Sequence, residues 1–197
     1  FEFTGDVLLG LHLMLTGDLF VFEKNNEHKF TIVEMHFSNG QGLALTDRMR
    51  NANIKLSPVD KKGIEAISVQ LNFKYLKQAF QKKTNIKNIL LDQDIIRGIG
   101  NSYSDEILWQ TRISPYSAAE AIPDEKIREL AFTIKKVLKD EIKRIDKTHP
   151  GITWGEVKEF LEIHTRAHDK SPTGAPIIID KKGARKTYYT KEQKLYK

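Results

Sequence analysis

A chain of 197 residues with 40% hydrophobic and 29% charged content can bury a real core, which excludes a disordered or fibrous protein and leaves room for one large domain or two small ones. Its net charge of +6 favours an acidic partner, nucleic acid ahead of an anionic membrane surface. The lack of any cysteine rules out disulfides, thiolate metal sites and cysteine nucleophiles.

The chain opens at Phe1 in what already reads as strand, without an initiator methionine, so the sequence is expected to start inside a larger protein. The apolar run VLLGLHLML, from Val7 to Leu15, is interrupted by His12. It falls short of the roughly 20 residues that span a bilayer, and it has no basic leader of the kind a signal peptide carries. This run and DLFVFE flank Thr16-Gly17, KFTIVEMHF follows the polar NNEH, and SNGQG turns into LALTD. Short β-rich runs between turn residues predict a hairpin-rich antiparallel sheet or sandwich over residues 1–56.

From about Ser57 the periodicity becomes helical. NFKYLKQAFQKKTNIKNILLDQDII and DEKIRELAFTIKKVLKDEIKRI both carry it, and in the second Ile127, Leu130, Ala131, Ile134, Val137, Leu138, Ile142 and Ile145 form one face. A further short helix is predicted over TWGEVKEFLEIH, before DKSPTGAP breaks the pattern. The tail IIIDKKGARKTYYTKEQ reads as a β-hairpin turning around Lys182-Gly183. The expected organisation is therefore two-domain α+β: a β domain over 1–56, a helical domain over 57–169 and a terminal hairpin over 170–197.

Three constellations could carry chemistry. In RGIGNSYSDEIL, Gly98 and Gly100 allow torsions and close approach that a Cβ would forbid, Asn101 stands where a helix N-cap belongs, and Asp105 and Glu106 fall in the expected first turn. A glycine-led helix N-terminus can hold a phosphate; the same residues also suit a plain packed corner between helices. Tyr103 stands where a dinucleotide fingerprint needs its third glycine, and no Gly-Lys-Ser/Thr follows, so Rossmann and Walker readings fail. In GARKTYY, Arg185 and Lys186 adjoin Tyr188 and Tyr189, a pattern suited either to phosphate contact or to a soluble basic end. His164 and His168, four apart, have a spacing that can bind metal, but a third ligand is not evident, and two surface histidines are the favoured reading.

The stretch IKNILLDQDIIRGIGNSYSDEILWQTRISP, Ile86 to Pro115, resembles the helix-two-turn-helix signature of the formamidopyrimidine-DNA glycosylase and endonuclease VIII family, with Lys87, Asp92, Gln93, Gly98, Gly100, Asn101, Tyr103, Glu106 and Pro115 in step. LHLMLTGDL is similar to a strand of that family's N-terminal β-sandwich, and GARKTYYTKEQ to its terminal finger. The resemblance implies an incomplete β-sandwich, a helical domain with the signature at 86–115, and a finger hairpin. It implies a bifunctional glycosylase and abasic-site lyase that excises oxidised bases and cleaves the strand by β/δ-elimination. The nucleophile would be an N-terminal proline, assisted by the adjacent glutamate, and the family would place that start some tens of residues ahead of Phe1. Asn101 and Arg185, with the turn of Gly98 and Gly100, would grip phosphates beside an extruded nucleotide, and Lys87 and Glu106 would belong to the substrate pocket.

The resemblance further implies a monomer in the bacterial cytoplasm, associated with the nucleoid. It would act on double-stranded DNA containing oxidised bases or abasic sites, with no cofactor and no membrane. Departures from the pattern carry their own expectations. The four finger cysteines fall on Ser171, Gly174, Thr190 and Gln193, which predicts a zincless finger held by hairpin pairing and packing, with no metal. The void-filling methionine falls on Leu15, Arg50 stands in for one arginine of the DRMRNA loop, and Asn51 replaces the intercalating aromatic. Two other readings are a homologue that binds damaged DNA without the chemistry and an RNA-binding protein built on the same helical element.

Overall fold

The structure, a computed structural model, describes residues 1–59, 61–181 and 185–197. These form two compact units, one from residues within 1–60 together with 149–157, the other from 61–148 and 158–197.

The first unit is antiparallel β: β1 (Glu2–Phe3), β2 (Val7–His12), β3 (Gly17–Glu23), β4 (Thr31–His36), β5 (Gln41–Asp47) and β6 (Asn53–Leu56). They make two three-stranded sheets in the orders β1-β2-β6 and β3-β5-β4. β5 is the central strand of its sheet and is buried over nearly its whole length, in register Leu19↔Leu45 and Val21↔Leu43 with β3. The expected hairpin across Thr16-Gly17 does not form. β2 ends at His12, and a tight turn closed by the Gly17 N–H on the Leu13 carbonyl, 2.8 Å, sends the chain from one sheet to the other.

The second unit contains β7 (Ile64–Glu65), α1 (Phe73–Ala79), α2 (Ile86–Leu91), β8 (Ile96–Arg97), α3 (Asn101–Gln110), α4 (Asp124–Thr148), β9 (Ile178–Asp180) and β10 (Thr187–Tyr189). Asn72 caps α1 by accepting from the Tyr75 N–H, and α4 starts with Asp124 and Glu125 and ends near Lys147, each charge complementing the helix dipole. α4 packs on α1 and α3 through Ile127, Leu130, Ile134, Val137 and Leu138. Each such side chain, fully buried, contributes about 1.5–3 kcal/mol. The predicted stripe is longer than the buried one, for Ile142 is 56% exposed. No helix among the described residues is long and apolar enough to cross a membrane.

The helix expected over TWGEVKEFLEIH is absent: residues 153–164 are turns, bends and irregular chain. Side chains elsewhere take the backbone groups a helix would need. In the first unit Asp18 accepts from Gly155 N–H at 2.7 Å, Thr153 donates to the Leu19 carbonyl and Trp154 stacks with Phe20. In the second unit Glu106 takes the N–H groups of Glu162, Ile163 and His164. The tail does form an antiparallel pair, Thr187↔Asp180 to Tyr189↔Ile178; its expected turn at Lys182-Gly183 lies outside the described residues.

Candidate nucleic-acid interface

Between α2 and α3 the chain makes two turns around one side chain. The Gln93 amide donates to the carbonyls of Ile99, 3.0 Å, and Leu91, 3.3 Å, while its oxygen accepts the Gly98 N–H at 3.0 Å. Gly98 has φ +92°, left-handed backbone that favours glycine. Gly100 is different. Its φ of −98° suits any residue, and open space lies where a Cβ would stand. Gly100, not Asn101, is the N-cap, and Asn101 is the first helical residue. The same shift moves Asp105 and Glu106 out of the first turn into the buried second one, at 1% and 3% exposure. The first-turn amides of α3 have no intrahelical acceptor, which leaves the dipole's positive end with N–H groups to donate.

The basic strand meets this helix end directly. Asn101 Nδ2 donates to the Lys186 carbonyl at 2.9 Å. Lys87, on α2, donates from Nζ to Thr187 Oγ1 at 2.9 Å and to the same Lys186 carbonyl at 3.4 Å. Arg185, the residue just before, is exposed, and it lines with Lys87, Asn88, Tyr116 and Thr187 a cleft of about 580 Å³. Lys87 itself is 7% exposed and stands 2.6 Å from Asp105 Oδ1. Burial pulls its pKa down from the ordinary lysine value, Asp105 pulls it back, and the Arg185 charge adds to the downward push. Asp105 Oδ2 accepts the Tyr188 N–H at 2.9 Å and lies 2.7 Å from His164 Nδ1. His164 is thus no surface residue; its ring packs 4.3 Å from that of Tyr188, while His168 is exposed. Among the described residues no group of three His, Cys, Asp or Glu could hold a metal.

Glu106, placed in the substrate pocket by resemblance, has both carboxylate oxygens engaged by backbone N–H groups of 162–164. In this geometry it braces the segment that carries His164 and presents no free oxygen. From the sequence Asp105 was expected only as a first-turn carboxylate, not as the partner of Lys87. The signal was available: a lysine inside the apolar run IKNILL needs a buried counter-charge.

At the finger, the positions matched to cysteines hold hydroxyls, an amide and a side chain of one hydrogen: Ser171, Thr190, Gln193 and Gly174. That donor set does not fit zinc. A carboxylate stands at the centre instead. Glu192 Oε2 accepts from Thr173 Oγ1 at 2.8 Å, Arg112 Nη1 at 2.9 Å, Thr190 Oγ1 at 3.1 Å and Trp109 Nε1 at 3.4 Å. Gln193 joins the finger to the end of α3 by accepting from Thr190 N–H and donating to the Ile113 carbonyl. Partial burial opposes ionisation of Glu192, but the hydrogen bonds from Thr173, Thr190 and Trp109 and the Arg112 charge outweigh it and hold the pKa below the usual carboxylate range. A depressed pKa contributes stability above the unfolded-state value that is lost as pH falls through the folded one. Glu192→Ala should therefore lower the thermal midpoint by a few degrees and abolish that acid-side component, whereas chelators should leave the wild-type midpoint unchanged. A zinc-dependent midpoint in the wild type would contradict this account.

In the first unit, Leu15 is 95% exposed, and Arg50 is exposed with φ +54°. One residue organises both turns. Asp47, 1% exposed, accepts from Thr16 Oγ1 at 2.6 Å and from the N–H groups of Met49, Asn51 and Ala52. The Thr16 hydrogen bond above all, with those backbone bonds, holds its pKa at about 2.

An antiparallel β unit joined to a helical unit whose two-turn corner abuts a basic terminal hairpin defines a helix-two-turn-helix protein. Residues 63–150 match the family model described as the formamidopyrimidine-DNA glycosylase H2TH domain. Formamidopyrimidine-DNA glycosylase from Pelotomaculum thermopropionicum is 30% identical over 198 residues, covering 92% of this chain and 72% of that protein. The chain belongs to the formamidopyrimidine-DNA glycosylase family. The Lactobacillus gasseri protein of the same name is 34% identical over 149 residues, 70% of this chain but only 54% of its own length, so the chain spans about half of some of the relatives it matches. Two solved structures share the fold. One is the Lactococcus lactis protein in complex with DNA containing an abasic site, with TM-score 0.79 and 24% identity over 94% of this chain and 74% of that one. The other is MutM in complex with DNA containing carbocyclic 8-oxo-G, with TM-score 0.78 and 24% identity over 95% and 74%.

Proposed function

We propose that this chain is the DNA-gripping body of a base-excision glycosylase and abasic-site lyase, acting on duplex DNA that carries an oxidised base or an abasic site. The observation that carries the reading is the bond from Asn101 to the Lys186 carbonyl. It joins the amide-bearing end of α3 to the strand of Arg185, so that N–H donors, an asparagine and a guanidinium belong to one basic surface. Phosphates are what such a surface takes. The relatives' names and the damaged DNA in the structural neighbours point to the same substrate class. Leu15 and Arg50, held in neighbouring turns by Asp47, are the side chains proposed to enter the gap left by an extruded nucleotide.

The chemistry proposed is that implied by the family resemblance. An N-terminal proline amine attacks C1′ of the sugar and displaces the base; the ring then opens as the C1′–O4′ bond breaks to give an iminium ion, which acidifies C2′, and the 3′ and then the 5′ phosphate leave by β- and δ-elimination.

Fluorescence anisotropy with a duplex bearing a stable abasic-site analogue tests the grip. Asn101→Ala and Arg185→Ala should each weaken binding by about 1–3 kcal/mol across sequences, and the loss of Arg185 should reduce the salt slope by about one. Wild-type affinity in both variants would remove the phosphate assignment. Borohydride trapping on abasic DNA then separates enzyme from binder, since only an enzyme leaves a covalent adduct.

A further inference from the structure

Lys87, Asn101 and Asp105, on α2 and α3, make four of the bonds that hold the stretch 186–188, alongside its pairing with β9 and a hydrogen bond between Tyr116 and Thr187. Lys87 holds the Lys186 carbonyl and the Thr187 hydroxyl. Asp105 holds the Tyr188 N–H and lies beside His164. Lys87 and Asp105 face each other at 2.6 Å with side chains 8% and 0% exposed. Among the described residues Asp105 Oδ1 receives no hydrogen bond of good geometry, so the ammonium charge is what compensates it. A buried cation and a buried anion that each also hold the same strand form one electrostatic joint.

We propose that Asp105 is the positioning residue of the phosphate grip: its buried carboxylate keeps the Lys87 ammonium and the Tyr188 amide in place and thereby sets Arg185 and Lys186 at the N-terminal end of α3. The inference rests on the reading that this surface binds DNA phosphates. Asp105 touches no phosphate in this scheme; it acts through Lys87 and the strand. The groups facing Lys87 are Asp105 from α3 and Arg185, the Lys186 carbonyl and Thr187 from the strand, with His164 behind Asp105. α2 itself offers only the neutral Asn88 beside it. Of these, Asp105 alone favours the charged ammonium by its own charge. Burial and Arg185 both oppose it.

Asp105→Asn tests the electrostatic part because the amide keeps the shape and an acceptor for Tyr188 while removing the charge. D105N should bind the abasic-analogue duplex roughly tenfold more weakly than wild type. Its salt slope should fall by about one as pH rises, at a lower pH than in the wild type, as Lys87 loses its proton. A double-mutant cycle with Lys87→Met should show strong non-additivity, because the second change removes what the first has already disabled. Wild-type affinity in D105N, an unaltered pH profile or additive losses would each overturn the proposal. The two readings fail differently: a wild-type chain that ignores duplex DNA sinks the phosphate grip and this inference with it. A chain weakened by R185A but not by D105N sinks this inference alone. Should D105N not fold, K87M carries the test through hydrogen exchange. The Tyr188 amide should then exchange faster and binding should drop about tenfold, and wild-type values for both would overturn the proposal.

Discussion

Glu106→Ala should cost about 3–5 kcal/mol of unfolding free energy, among the largest single losses available in this chain. The carboxylate accepts three backbone N–H groups, from Glu162 at 3.1 Å, Ile163 at 3.0 Å and His164 at 2.7 Å, and it is itself 3% exposed. Removing it leaves those donors without acceptors in a region where Ile163 is fully buried. Glu106→Gln keeps one acceptor oxygen but turns an NH2 toward a donor, so its loss should be intermediate. Burial is the larger influence on the Glu106 pKa and pushes it up against the pull of the three N–H groups. A raised folded-state value makes this group's contribution fall as pH climbs from the ordinary carboxylate range through the raised one. The gap between wild type and E106Q should accordingly narrow over that window. Urea unfolding at several pH values reads both effects, and an E106A midpoint equal to wild type would show that the segment 162–164 is held by something else.

Gly63→Ala should cost about 3 kcal/mol or more. A Cβ there would stand 2.4 Å from the Gln93 carbonyl oxygen, 2.8 Å from the Ile95 carbonyl carbon and 2.9 Å from Ile96 N. All three are backbone atoms, so no rotamer change relieves the contact. The parallel pair β7–β8, Ile64↔Ile96, would have to separate, and the chain that would be displaced leads directly into the Gly98 turn. G63A should therefore lose stability and duplex affinity together, whereas D105N should lose affinity first. Thermal unfolding run alongside the anisotropy titrations distinguishes the two patterns. A G63A chain as stable as wild type would mean that the strands can part there at little cost.

Much of the fold is legible in the sequence. The strands of the first unit announced themselves by turn residues and alternation, and α4 by its apolar stripe, because both signals come from local periodicity acting over many residues. The route between strands was not legible. Thr16-Gly17 looks like a hairpin turn, yet β2 and β3 belong to different sheets, a matter of which partner strand is nearer in space. TWGEVKEFLEIH fails as a helix for a similar reason: Asp18 and Glu106 capture its amides from 137 and from 56 to 58 residues away.

What the sequence by itself determined was the family and the two halves of the proposed grip. The spacing from Lys87 to Pro115 and the run GARKTYY are contiguous strings, and contiguous strings need no contacts to be read. Only the tertiary structure decided how the halves are joined. Lys87 reaches Thr187 across 100 positions, Asn101 reaches Lys186 across 85, and Asp105 reaches Tyr188 across 83. Glu192 likewise gathers the Thr173 and Thr190 hydroxyls from the finger and the Arg112 guanidinium from the end of α3. Buried charge is tolerated only beside its partner, and the partner of a buried lysine or carboxylate is chosen by packing rather than by sequence order.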